Sequence, residues 1–253
     1  MLRTILITIK RAVVSPKFFV ALGMVCIFRL LDILPTLAAG TVVQDGNVYY
    51  SYTVYSIYMV SGATMFELLS FMVPGIVYSG AFSEDLKSNH LLYAVMRISK
   101  TKYCVATVVT CALSAFFAAF FGEMLVTFVL SGRLEWYEAM EGVEENYRGI
   151  LLSQFLMAGL RGAFFALASM LLSIFTINKF CIYSIPILVY FFFLNFGYTY
   201  LNVPVYFNIS TIYTYYVFGL DSKIISILYT FGVTMVIAFL VARIMEKKIE
   251  RCY

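Results

Sequence analysis

The sequence predicts an all-α integral membrane protein of six transmembrane helices, with an N-terminal amphipathic interfacial helix, a charged loop after the second span and short re-entrant helices before the sixth. Three observations carry this. Of 253 residues, 62% are hydrophobic and 13% charged, more oily surface than a soluble domain of this length could bury. The apolar residues fall in runs long enough to cross a bilayer. Lysine and arginine are unevenly divided: with the N-terminus inside, Arg3, Lys10, Arg11, Lys17, Lys87, Arg97, Lys100, Lys102, Lys179, Arg243, Lys247, Lys248 and Arg251 share one side, against Arg133, Arg148 and Lys223 on the other. That bias places both termini in the cytoplasm of a multi-pass cell-membrane protein. The formal charge of +4 therefore speaks of orientation and calls for no nucleic-acid partner.

The chain reads as one transmembrane domain, 1–253. In residues 1–17, Leu2, Ile5, Leu6, Ile9 and Val13 recur at helical spacing while Arg3, Lys10 and Arg11 occupy other faces. Such a helix suits the headgroup layer or leads into the first span, and Pro16 ends it. A cleavable signal peptide fits poorly, because the following apolar run is long and carries Arg29 and Asp32. The first span covers about 18–38, and those two residues, three apart, can pair on one face. A loop with turn formers and a row of tyrosines follows.

The second span, about 57–81, holds Glu67 near its middle and Pro74 and Gly75 closer to its inner end. The third, about 104–130, carries a stripe of Ala115, Ala118, Ala119 and Gly122 for close helix packing, with Glu123 expected near the far membrane surface. An acidic outer loop with Glu135, Glu138, Glu141, Glu144, Glu145 and Trp136 leads to the fourth span, about 149–176. Arg161 lies near its middle among Ala158, Gly159, Gly162 and Ala163. Counted inward from the outer ends of their helices, Glu67 and Arg161 reach similar depth, so the two are candidates for a buried ion pair of structural purpose. A short turn, 177–179, precedes a fifth span over about 180–200. The aromatic stretch 203–219 is too interrupted for a straight span and too oily for a free loop, and reads as re-entrant outer helices. The sixth span, about 224–243, ends in a basic tail.

The longest charged segment between apolar blocks is 82–103, FSEDLKSNHLLYAVMRISKTKY. It suits one or two short interfacial helices. Ser83 is the expected N-cap, and Glu84 and Asp85 fall where carboxylates complement a helix dipole. Lys87, Ser88, Asn89, Leu91 and Leu92 lead to a basic cluster of Arg97, Lys100 and Lys102. The sole histidine, His90, reads as structural. Cys26, Cys104, Cys111 and Cys181 lie in apolar blocks, Cys252 in the tail, and no spacing among them suggests a disulfide framework or zinc site.

On these features, the basic N-terminal helix, the six-span plan, the loop F-x-E-D ending R-I-S-K-T-K-Y and the broken aromatic segment before the last span, the whole chain resembles the type 2 ABC exporter permeases of bacteria. The most specific part is Arg97, Ser99, Lys100, Lys102 and Tyr103 at the start of the third span. The resemblance implies a half-transporter that pairs with a second permease copy or a paralogue, a homodimer in the simplest case, driven by a separate cytoplasmic ABC ATPase. The segment Ser83, Glu84, Asp85, Leu86, Lys87, Ser88 and Asn89 would be a coupling helix docked on that ATPase. The helix at about Leu2 to Val14 would flank it, and 203–219 would form an outer gate. ATP and Mg would bind the partner, since the chain has no G-x-x-x-x-G-K-[ST] and is not itself expected to be an enzyme or to hold a cofactor.

Twenty Tyr and twenty-four Phe suit an apolar or amphipathic cargo, although membrane lipid also selects aromatic belts. Compact permeases of about this length look most like the peptide and bacteriocin group. The reading is export of hydrophobic or amphipathic peptides, antimicrobial or cytolytic. The alternatives are a secondary transporter using Glu67 and Arg161, and a non-transporting membrane scaffold.

Overall fold

Proline and serine set the first boundary. Helix α1, Leu2–Val13, stops where Pro16 begins α2, Pro16–Ala39. Proline is suited to a first helical turn because its missing N–H would have no partner there. Ser15 acts as the cap: its Oγ accepts from the Phe18 backbone N–H at 3.3 Å and donates to the Ala12 carbonyl at 2.6 Å. The break expected at Pro16 is thus present, with proline opening the second helix as well as closing the first.

The structure, a computed structural model, describes residues 2–39, 41–44, 47–50, 65–88, 90–132, 134, 147–192 and 220–252. After α2 come two antiparallel strands, β1 Thr41–Gln44 and β2 Asn47–Tyr50, paired Thr41 to Tyr50 through Gln44 to Asn47. The remaining elements are helical. Helix α3, Met65–Met72, passes into a 3-10 turn, Val73–Val77, as Pro74 withdraws a backbone donor. Then come α4 Ala81–Lys87, α5 His90–Ile98, α6 Lys100–Ser131, α7 Tyr147–Ser173, α8 Lys179–Phe192 and α9 Leu220–Cys252. Four segments among the described residues are long and apolar enough to cross a membrane: Pro16–Pro35, Lys100–Ser131, Leu151–Ser173 and Ile224–Arg251. Four such helices are compatible with a membrane protein. The gate stretch 203–219, the acidic-loop residues 135–146 and parts of the second and fifth expected spans, 57–64 and 193–200, lie outside the described residues.

Helix α6 is the centre of the bundle, with α1, α2, α7 and α9 packed around it. Its stripe of small residues is what admits them. A Cβ at Gly122 would lie 2.5 Å from Val25 Cγ1 of α2, and one at Gly162 of α7 would lie 3.0 Å from Ala119 Cβ and 3.2 Å from the Ala115 carbonyl oxygen. Where the surroundings are as apolar as the side chains, helices associate through close packing, and small residues permit it. The stripe Ala115, Ala118, Ala119 and Gly122 does what its spacing predicts, serving α2 on one side and α7 on the other.

Two boundaries differ from expectation. The last helix does not end at Arg243 but runs on to Cys252, because Val241, Met245 and Ile249, each one turn from the next, are buried against α6 in the core cluster of Phe82, Leu91 and Tyr103. Helix α6 begins at Lys100, four residues before the apolar run, so Lys100 and Lys102 belong to its first turn.

Candidate functional site

Within 82–103, two short helices in succession, α4 and α5, form a hairpin that packs on the bundle, and residues 100–103 are the first turn of α6. Phe82 and Leu91 are the wedge that seats it; both are fully buried, packed with Tyr103, Cys104, Met245 and Ile249. Ser83, expected as N-cap, is not the cap. Gly80 holds that position without a side-chain bond, and the buried Ser83 hydroxyl donates back to the Gly80 carbonyl at 2.8 Å. The helix therefore starts three residues earlier than a serine cap would allow, because Phe82 must enter the core.

Glu84, in the first turn of α4, ties three elements together. Its Oε1 accepts from Lys179 Nζ at 2.8 Å, and its Oε2 stands 3.4 Å from Lys17 Nζ. Lys17 opens α2 and Lys179 opens α8. The Lys179 hydrogen bond holds the Glu84 carboxyl below its ordinary range, against the opposing effect of partial burial and with help from Lys17. The same bond raises Lys179. Water screens such exposed pairs, so their value here is geometric. Beside them the buried Tyr103 hydroxyl donates to Asp85 Oδ2 at 2.5 Å, joining α4 to α6.

The outward side of the hairpin is differently composed. Lys87, Ser88, His90, Tyr93, Met96 and Arg97 are exposed, with Leu86 partly buried. In the basic cluster Lys100 pairs with Glu250 of α9, and the neighbouring Thr101 hydroxyl donates to Glu246 Oε1 at 2.6 Å. Arg97 and Lys102 are exposed. Ser99, between α5 and α6, has φ 73°, a left-handed value that strains a residue with a Cβ. Asn89 lies outside the described residues.

A second charged group lies inside the bundle. Arg29 and Asp32, three apart on α2, pair as expected, Nη1 to Oδ2 at 2.5 Å. Arg29 Nε also donates to Glu123 Oε2 of α6 at 3.1 Å. All three are buried, at 1%, 1% and 3% exposure. Glu123 is enclosed between helices, because Gly122 lets α2 approach and Arg29 meets the carboxylate there. The signal that links them is depth, since both residues lie toward the far ends of their helices, and depth alone does not choose a partner.

Arg161 is buried in the middle of α7 with its guanidinium 5.1 Å from the centroid of the Phe71 ring of α3. Glu67 is on α3, but its side chain, and with it the expected Glu67 to Arg161 pair, lies outside the described residues.

A cavity of about 490 Å³ opens between α1, α4, α5 and α6, beside the Glu84 and Asp85 contacts. Nothing in the sequence pattern signalled it.

No protein-family model matches the chain, and neither a curated protein nor a solved structure matches it significantly.

Proposed function

We propose that the chain is the membrane permease subunit of an ATP-driven exporter of the type 2 ABC kind, a six-span half-transporter that moves hydrophobic or amphipathic peptides out of the cell. It would work as a dimer with a separate cytoplasmic ATPase, which binds the ATP and Mg. The second and fifth expected spans would complete the six.

The α4–α5 hairpin is the observation that supports this reading. Its inner face is anchored by Phe82, Leu91 and the Asp85 to Tyr103 bond, while its outer face presents Lys87, Tyr93, Met96 and Arg97. A docking surface needs such a division, since a helix that only sealed the bundle would not leave Tyr93 and Met96 at 64% and 71% exposure. Glu84 then connects the docked helix to the first turns of α2 and α8, the route by which a push on the hairpin would reach the bundle.

The test is affinity purification of the tagged chain from native membranes in mild detergent, with the copurifying proteins assayed for ATP hydrolysis. A stoichiometric ATPase is expected, and it should be lost from a chain carrying Lys87→Glu and Arg97→Glu that still inserts. Retention of the ATPase by that variant would remove the docking role.

A second reading, a gradient-driven carrier, draws on the buried Arg161 and on Arg29, Asp32 and Glu123. It predicts transport into vesicles under an ion gradient without any ATPase, abolished by Glu67→Gln.

A further inference from the structure

The cavity at the hairpin is a built pocket of mixed character. Its volume, about 490 Å³, falls within the roughly 300–1,000 Å³ of small-molecule sites. One wall is apolar, from Ile76, Val77, Ala94 and Ile98. The other carries Arg11 and Thr8 of α1, Lys17 at the start of α2, and Tyr183 of α8. The first turn of α2 also faces it through Ser15 and Pro16, adding the partial positive charge of a helix N-terminus. His90 of α5 is also in the lining.

The lining also holds two carboxylates, Glu84 and Asp85. Glu84 is neutralised between Lys17 and Lys179, and Asp85 accepts from the Tyr103 hydroxyl while keeping its charge. In the lining itself Arg11 and Lys17 balance Glu84 and Asp85; Lys179, which reaches Glu84 from outside the lining, adds one positive charge to the surroundings, and Arg11 forms no salt bridge among the described residues. A planar guanidinium in the lining of a pocket, with hydroxyls and a helix start in the same lining, is an arrangement that receives a phosphate group.

The position of the cavity narrows the source. One side of it is formed by α1, whose Leu6 and Ile7 are exposed, as is Val14 just beyond the helix. An apolar outer face beside basic residues suits the boundary between headgroups and acyl chains. We infer that the cavity between α1 and the α4–α5 hairpin binds a phosphorylated anionic group, supplied by the headgroup of an anionic phospholipid whose acyl chains run out along α1. The site does not depend on which transport reading holds.

The full chain, purified in neutral detergent, tests this by thermal unfolding with added phosphatidylglycerol, phosphatidylcholine or inorganic phosphate. Phosphatidylglycerol at saturation should raise the melting temperature by about 5 °C, phosphatidylcholine should leave it unchanged, and native mass spectrometry should show retained phosphatidylglycerol. Arg11→Gln, or Lys17→Gln should the first fail to accumulate, should remove most of the shift. Lys247→Gln, an exposed basic residue outside the cavity, should keep it. An equal shift in wild type and both cavity variants would overturn the site, as would loss of the shift in Lys247→Gln alone. A shift produced by inorganic phosphate alone would keep the anion site and overturn the lipid source.

Discussion

Arg29 and Glu123 are 94 positions apart in the sequence, yet Nε and Oε2 meet at 3.1 Å inside the bundle. With Asp32 on the same guanidinium, the contact pins α2 to α6 at a depth where each charge is costly by itself. Taking away one partner should therefore hurt more than exchanging the group as a whole. Arg29→Met takes the guanidinium away from two buried carboxylates and should lower stability by roughly 3–5 kcal/mol. Glu123→Gln, which leaves Arg29 with Asp32, should cost distinctly less. Unfolding of the purified variants measures both, and an equal loss from the two would show that the guanidinium does not organise the group.

Gly122 predicts a steric effect. Since its missing Cβ would sit 2.5 Å from Val25 Cγ1, Gly122→Ala should cost about 1–3 kcal/mol by overpacking. Adding Val25→Ala makes room and should restore much of the loss. Failure of the double variant to recover would place the defect elsewhere than in the α2 to α6 contact.

The Glu84 tie predicts a pH dependence. Its folded carboxyl titrates below its unfolded value, so the stability it contributes is fully present above the unfolded carboxylate range, about pH 4.3. That contribution is lost as pH falls through the lower folded value. Stability should be flat near neutrality in this respect and decline on acidification, and Glu84→Gln should flatten that part of the decline. Lys179→Met should have the same effect, and a decline unaltered by either change would show that another group causes it.

Ser99 predicts a gain. With φ at 73°, glycine adopts the backbone more readily than serine, so Ser99→Gly should be neutral or stabilising by up to about 1 kcal/mol, whereas Ser99→Val should be destabilising. Thermal unfolding distinguishes them, and a loss with glycine would mean the serine side chain contributes more than its strain costs.

The elements that announce themselves in the sequence are those set by local rules. Pro16 marks the joint of α1 and α2, Arg29 and Asp32 share a face by spacing, and the Ala115 to Gly122 stripe brings helices close. The strands β1 and β2 were readable too, since Asp45-Gly46 between β-branched and aromatic residues favours a tight hairpin, but the tyrosines there read equally as an interface belt. Long-range choices were not readable. Ser83 is an acceptable cap by type, and only the burial of Phe82 moves the helix start to Gly80. Glu123 has a depth in the sequence but no rotation, so its partner on α2 could not be named. The charged tail hid the inward row Val241, Met245 and Ile249 behind its composition. The cavity is assembled from α1, α2, α4, α5, α6 and α8 with the 3-10 turn, and belongs to none of them.

Helix α9, of 33 residues, is about 50 Å long, against a hydrocarbon layer of about 30 Å. Some 20 Å of it must extend past any layer it crosses. That overhang is not loose: Lys100 and Thr101 fasten it to the start of α6 through Glu250 and Glu246, within reach of the hairpin. One uninterrupted helix thus joins the cluster around α4 and α5 to Leu220 at its far end, so the two ends of the bundle share a single rod.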